Sequence, residues 1–159
     1  EEYLHILVRH FNEVMEKNGV LETVKKRDLN LRDVVNMAAM VEMEAVFAEE
    51  QPRIAGVFLK RVEIGMPIQS DTTIQYILGA QKETITFKDT EIDNPYNTYQ
   101  NFGLPPGPIG SPSLSAIQAV LEPEQTDYLY FVAQNDGHHR FSRTYAEHLR
   151  AIDEIYYGR

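Results

Sequence analysis

The chain has 159 residues, of which 43% are hydrophobic and 25% are charged, and it contains no cysteine. This length suits one domain with a single core, and the composition is that of a folded globular protein. The net charge of −9 argues against a nucleic-acid partner and an anionic membrane surface, because both attract lysine and arginine. The lack of cysteine excludes disulfides, thiolate metal sites and a cysteine nucleophile.

Apolar residues recur at helical spacing in the first half of the chain. This pattern predicts four helices, over residues 3–17, 31–48, 52–64 and 73–78. Residues 19–30 are predicted to be a turn region. Asn30 is placed to cap the second helix, which is apolar on most of its faces and is therefore expected to be buried. Pro52 is placed to open the third helix.

The second half of the chain predicts a small sheet between short helices. Residues 80–112 read as irregular, with a stiff segment rich in proline and glycine at 104–110. Ser113 is expected to start a short helix, and residues 128–132 form the strongest strand pattern. A turn at residues 135–137 leads to a partner strand, and a capping box at Thr144 starts a last helix. The predicted fold class is α+β, a helix-rich single domain with a small antiparallel sheet.

Two glutamates lie in the most apolar predicted helix. A carboxyl group in apolar surroundings has a raised pKa, which is the property of a general acid that works near neutral pH. The helical neighbours of Glu42 are small and leave room for a ligand, whereas those of Glu44 are bulky. The alternative is a buried structural ion pair of either glutamate with Arg53 or Arg61.

Two polar segments are candidates for substrate binding. Residues 69–73 are five hydrogen-bonding residues in a row, and residues 96–99 place two aromatic side chains around two polar ones. Such groups can bind a sugar by hydrogen bonds and stacking, although a helix cap and a capped turn are the simpler alternatives. The histidines lack the spacing of a metal site, so no metal is predicted.

The order of these motifs resembles the YceG-like family of endolytic murein transglycosylases. Similar segments occur at residues 37–45, 52–66, 69–73, 96–99, 103–109, 128–132 and 137–141. The resemblance implies a peptidoglycan lytic transglycosylase that cleaves the bond between N-acetylmuramic acid and N-acetylglucosamine within glycan strands. Such an enzyme uses one carboxyl as both acid and base, forms 1,6-anhydromuramyl ends and needs no cofactor.

The resemblance also implies a set of site residues. Glu42 is expected to be the catalytic acid and base. Substrate binding is expected at Gln69, Ser70, Asp71, Thr73, Tyr96, Asn97, Thr98 and Tyr99. Supporting roles are expected for Glu44, Pro105, His139 and Phe141. Two alternatives stay open: a glycoside hydrolase with Asp71 as second carboxylate, and a glycan-binding module without turnover.

The family further implies a longer parent protein. Residues 1–28 are interpreted as the remnant of a preceding LysM-like region, and residues 29–159 as the catalytic domain. The parent is expected to be anchored in the bacterial cell membrane and to act on its extracytoplasmic face. Peptidoglycan glycan strands are the expected partner, with cell-wall synthases as further candidates and nucleic acid excluded by charge.

Overall fold

The computed structural model describes residues 2–158, which form seven α-helices and one antiparallel hairpin. The elements are α1 Glu2–Lys17, α2 Val20–Lys26, α3 Leu31–Glu44, α4 Gln51–Glu63, α5 Asp71–Leu78, α6 Leu114–Leu121, β1 Tyr130–Ala133, β2 His139–Ser142 and α7 Tyr145–Ile152. Short 3-10 turns lie at Ala48–Glu50 and Asp89–Glu91, and a π turn lies at Asp153–Tyr157. The helix-rich α+β class with a small antiparallel sheet is confirmed.

Helix α3 is the centre of the core and packs against α4 and α6. Six consecutive residues of α3 are buried: Asn36, Met37, Ala38, Ala39, Met40 and Val41. A helix that is buried on several faces must have neighbours on several sides, and α4 and α6 are the main ones. Asn30 caps α3 by accepting a hydrogen bond from the backbone of Arg32, as predicted.

The hairpin covers one edge of this core. Strands β1 and β2 pair with Phe131 opposite Phe141, and the two rings lie 5.8 Å apart. Phe131 also lies 5.8 Å from the ring of Phe58 in α4. The capping box at Thr144 is formed, so α7 begins immediately after β2 and packs on both strands. The hairpin is thereby fixed between α4 and α7.

Residues 20–26 form helix α2, so the prediction of a turn region over residues 19–30 is wrong there. Val20 and Val24 are one helical turn apart and are buried with Met15 in the core. This tertiary burial stabilises a helix that is too short to be stable alone. Arg27 at its end donates to the carbonyl of Leu121, and the domain division at residue 28 stays a prediction.

Helix α3 ends at Glu44, four residues earlier than predicted. Ala45 is extended, with φ −83° and ψ 118°, and the ring of Phe47 stacks on His138 with centroids 4.2 Å apart. The contact with the hairpin draws the chain away from the helix axis. Phe47 and Ala48 are therefore not helical neighbours of Glu44, which keeps Met40 and Val41 as its neighbours in the preceding turn.

We expect Gly56→Ala to destabilise the fold. A Cβ at Gly56 would lie 2.3 Å from the carbonyl oxygen of Glu124, and backbone cannot move aside as a side chain can. Overpacking of this kind costs about 1–3 kcal/mol, which urea unfolding measures. Gly110→Ala is the control, because its nearest neighbour, the sulfur of Met43, lies at 3.6 Å. Equal unfolding midpoints for the two variants would contradict the close α4 contact.

Candidate active site

An open groove of about 1300 Å³ runs along one side of the molecule. It is formed by the end of α3, the start of α5, the loop at residues 84–90, the hairpin and α7. Five residues predicted for the site line it: Glu44, Gln69, Asp71, Tyr99 and His139. A smaller cavity of about 600 Å³ near Gly56 contains none of the predicted residues.

The carboxyl of Glu44 is held at the junction of α3 and α5. Ser70 Oγ donates to Glu44 Oε1 at 2.5 Å, and Thr72 Oγ1 lies 3.5 Å from the same oxygen. Burial raises the pKa of Glu44, and the hydrogen bond from Ser70 partly opposes this. The negative charge of Asp71 raises the pKa further, and His139 lowers it. Glu44 therefore has the raised pKa that the sequence predicted for a carboxyl in α3.

Asp71 and Tyr99 form a second polar pair in the groove. Tyr99 donates its hydroxyl to Asp71 Oδ1 at 2.5 Å. Burial raises the pKa of Asp71, and this hydrogen bond lowers it. Burial and then Asp71 raise the pKa of Tyr99, so its hydroxyl keeps its proton. The pair presents a hydroxyl and a carboxyl that can hydrogen-bond a polar ligand beside Glu44.

Three residues predicted to bind substrate instead form a buried frame under the groove. Ser70, Thr73 and Thr98 are at most 2% exposed. Thr98 Oγ1 accepts from the backbone N–H of Ser70 at 3.0 Å and lies 2.9 Å from Thr73 Oγ1. Gln69 has φ 54° and donates its N–H to the Thr98 carbonyl. This frame turns the chain so that Ser70 points at Glu44.

The other half of the 96–99 segment does not line the groove either, which corrects the prediction for Tyr96 and Asn97. Asn97 is fully buried and donates its side-chain amide to the carbonyls of Thr90 and Ile92. Its Oδ1 accepts from the backbone N–H of Tyr99 at 2.9 Å. Tyr96 packs on Tyr76, with ring centroids 4.9 Å apart. Asn97 thus shapes the loop that presents Tyr99.

Glu42 lies outside the groove lining. Its Oε2 accepts from the Ser113 hydroxyl at 2.5 Å, from the Ser113 backbone at 3.1 Å and from the Gln51 amide at 3.4 Å. Gln69 therefore shares the groove with Glu44 and not with Glu42. Glu42 connects the end of α3 to the starts of α4 and α6.

The ion pairs considered as an alternative are not formed by either glutamate. Arg53 binds Glu124, with Nε 2.9 Å from the carboxylate. Arg61 donates to the carbonyls of Leu129 and Ile68, at 2.6 and 2.7 Å, and lines the groove. Both glutamates therefore interact mainly with neutral donors.

Pro105 and Phe141, expected to support the site, lie outside the groove lining. The Pro105 carbonyl accepts from the side chain of Asn36 at 2.7 Å, which fastens the proline-rich segment to α3. Phe141 packs in the hairpin, with the guanidinium of Arg53 5.2 Å from its ring centre.

Several lining residues escaped the sequence analysis. The hairpin, α7 and the π turn after α7 contribute an aromatic wall: Tyr130, Tyr145, His148 and Tyr156. Tyr130 stacks on His148 at 5.3 Å, and burial lowers the pKa of that histidine. In the sequence these residues have no pattern that distinguishes them from other helix and strand residues. The packing of α7 against β1 brings them together. Among residues 2–158 no group of acidic and histidine side chains is suited to hold a metal.

Comparisons with known proteins agree with this arrangement. Residues 1–154 match the YceG-like family. The chain is 40% identical over 145 residues to the endolytic murein transglycosylase of Bacillus subtilis, covering 89% of this chain and 40% of that protein. It is 38% identical over 148 residues to the Streptococcus pneumoniae protein of the same name, covering 88% of this chain and 27% of that protein.

A solved structure shares the fold. The crystal structure of a putative YceG-like protein of Listeria monocytogenes superposes with a TM-score of 0.88 at 36% identity. The match covers 94% of this chain and 48% of the Listeria chain. The chain therefore spans less than half the length of these relatives.

We expect Glu44→Gln to stabilise the protein at neutral pH. Below the ordinary pKa of 4.5 the carboxyl is protonated in folded and unfolded chains alike. As the pH rises above that value the unfolded chain ionises first, so stability is lost until the pH passes the raised folded-state pKa. Glutamine avoids this loss, and thermal unfolding from pH 4 to 8 should show the difference growing with pH.

Glu42→Gln is the matched variant, and we expect it to lower the stability of the protein at pH 7. It weakens charge-assisted hydrogen bonds from Ser113, which costs about 1 kcal/mol or more at pH 7. A Glu44→Gln protein that is less stable than wild type at pH 7 would contradict the electrostatic account of the groove.

Proposed function

The chain belongs to the YceG-like family, and from that premise we propose that it is a catalytic domain that cuts peptidoglycan glycan strands as a lytic transglycosylase. The observation that carries the proposal is the Glu44 carboxyl, which lies in an open groove with its pKa raised by burial. A carboxyl that keeps its proton near neutral pH can protonate a glycosidic oxygen. The names of the Bacillus and Streptococcus relatives support the substrate.

In the proposed reaction Glu44 acts twice. Its carboxyl first donates a proton to the oxygen between the muramyl and glucosaminyl units, and the bond from that oxygen to the muramyl anomeric carbon breaks. The resulting carboxylate then takes the proton from the hydroxyl on carbon 6 of the muramyl ring. That oxygen bonds to the anomeric carbon and closes the 1,6-anhydro ring. Glu44 ends protonated, and no water is consumed.

We assign the acid to Glu44 and not to Glu42, the residue favoured by sequence alone. Glu44 faces the groove, whereas Glu42 is engaged by Ser113 and Gln51. A general acid has to lie within hydrogen-bond reach of the oxygen that it protonates. Glu42 instead supports the acid, because it fixes the last turn of α3 on which Glu44 stands.

The remaining groove residues are suited to hold sugar. Gln69, Asp71 and Tyr99 offer hydrogen-bonding groups next to Glu44. The aromatic wall offers ring faces on which a pyranose can stack, and Tyr145 and Tyr156 are 59% and 56% exposed. The groove volume of about 1300 Å³ exceeds the usual size of a small-molecule pocket. These features favour a polymeric ligand over a single sugar.

The setting of the domain follows from its substrate. Peptidoglycan lies outside the bacterial cell membrane, so we place the domain on the extracytoplasmic face, as part of a longer membrane-anchored protein that works beside cell-wall synthases. No helix among residues 2–158 is long and apolar enough to cross a membrane. The anchor belongs in this proposal to the parent protein.

Glu44→Gln should abolish turnover. Glutamine keeps the shape of the side chain but has no transferable proton, so we expect release of glycan fragments to fall by about 100-fold or more. Glu42→Gln is the control and should keep most of the activity at a temperature well below its unfolding midpoint. Fragment release from purified sacculi measures both. An active, folded Glu44→Gln beside an inactive, folded Glu42→Gln would return the assignment to Glu42.

The products should carry 1,6-anhydromuramyl ends. Mass spectrometry of digests made in water labelled with heavy oxygen distinguishes the candidates, because ring closure takes up no solvent oxygen. Labelled reducing ends would instead show a hydrolase in which Asp71 is the second carboxylate. Binding to sacculi without any fragment release would show a glycan-binding module.

A further inference from the structure

A buried carboxylate–histidine pair lies beside the proposed acid. Glu50 Oε2 lies 2.8 Å from His139 Nδ1, and Glu50 Oε1 accepts from the His139 backbone N–H at 3.0 Å. The two side chains are only 10% and 5% exposed. Because the carboxylate binds both the ring and the backbone of His139, the ring orientation is fixed. His139 donates to Glu50 through Nδ1, so Nε2 takes no part in this contact.

The fold places Glu50 where a carboxylate is stabilised. It is the residue that precedes α4, at the positive end of the helix dipole. His139 is the first residue of β2 and lines the groove together with Glu44. The ring of Phe131 meets the His139 ring edge-on at 5.2 Å. Apolar packing and a charged hydrogen bond thus hold one histidine at the groove wall, and the transglycosylase chemistry described above does not use it.

The charges near Glu44 come from several elements. Asp71 on α5 is negative, and His139 on β2 is the group that favours the Glu44 carboxylate. Arg61 on α4 is cationic but is engaged with backbone carbonyls, and Tyr99 stays protonated on Asp71. The other titratable groups that line the groove are Tyr130, Tyr145, His148, Tyr156 and Tyr157. His139 is therefore the histidine whose charge acts on the acid.

We propose that Glu50 and His139 form a positioning pair that stabilises the Glu44 carboxylate in the interval between its two proton transfers. This rests on the proposed function. Glu50 holds the His139 ring at the groove wall, and a positive charge on that ring stabilises the nearby carboxylate. The pair itself exchanges no proton with the substrate. Burial alone would make Glu44 a weak acid that is slow to release its proton, and His139 offsets that effect.

His139→Gln tests the pair, because glutamine can still donate to Glu50 but carries no charge. In the pH profile of kcat/KM, the alkaline limb reports ionisation of Glu44. We expect this limb to move to higher pH by about one unit in His139→Gln, which is the lower end of the effect of a neighbouring opposite charge. The Glu44 carboxyl, followed by carboxyl-carbon NMR without substrate, should titrate at the same higher pH. His10→Gln is the control, since His10 is exposed on α1 and lies outside the groove lining.

Glu50→Gln tests the order of action. Because Glu50 acts through His139, the double variant Glu50→Gln/His139→Gln should titrate as His139→Gln does. An unchanged Glu44 titration in His139→Gln overturns the pair, whatever the activity of Glu44→Gln. A raised Glu44 pKa supports the pair even if Glu44→Gln stays active, in which case only the proposed function fails. Folding is checked by thermal unfolding, and imidazole added to a folded His139→Gly variant should restore the wild-type limb.

Discussion

The hydrogen bond from Ser70 to Glu44 is the interaction on which the groove depends. It joins the last residue of α3 to the residue that precedes α5. For it to form, α3 has to end at Glu44, Gln69 has to adopt a positive φ, and Thr98 has to hold the Ser70 backbone. The buried residues at the base of the groove are therefore framework that aims one carboxyl group.

The two glutamates of α3 have different partners. Both lie near the end of the helix, two positions apart, so their side chains leave it on different sides. Glu42 meets the amide and hydroxyl of Ser113 at the start of α6, where the helix dipole favours a negative charge. Glu44 instead lies at the groove, where burial and the negative charge of Asp71 disfavour its ionisation. Similar sequence surroundings thus lead to different partners for the two carboxyl groups.

The groove balances opposed electrostatic effects. Burial and Asp71 hold a proton on Glu44, whereas Ser70 and His139 favour its release. A group that both gives and takes a proton in one cycle benefits from such a balance, because its two forms must be close in free energy. Glu50, the residue before α4, contributes to this balance because it fixes His139 in place.

The sequence by itself determined the α+β class, most of the helices, the hairpin, the capping box at Thr144 and the cap at Asn30, because hydrophobic period and capping are local properties. It also placed two glutamates in α3. It also singled out Gln69, Asp71, Tyr99 and His139, all of which line the groove. Only the tertiary structure decided which glutamate faces the groove, since Phe47 stacks on His138 and ends α3 early. The tertiary structure alone turned four polar side chains inward: Ser70, Thr73, Asn97 and Thr98. It alone joined Glu50 to His139 across 89 positions of sequence, because a contact between distant segments leaves no periodic pattern in the sequence.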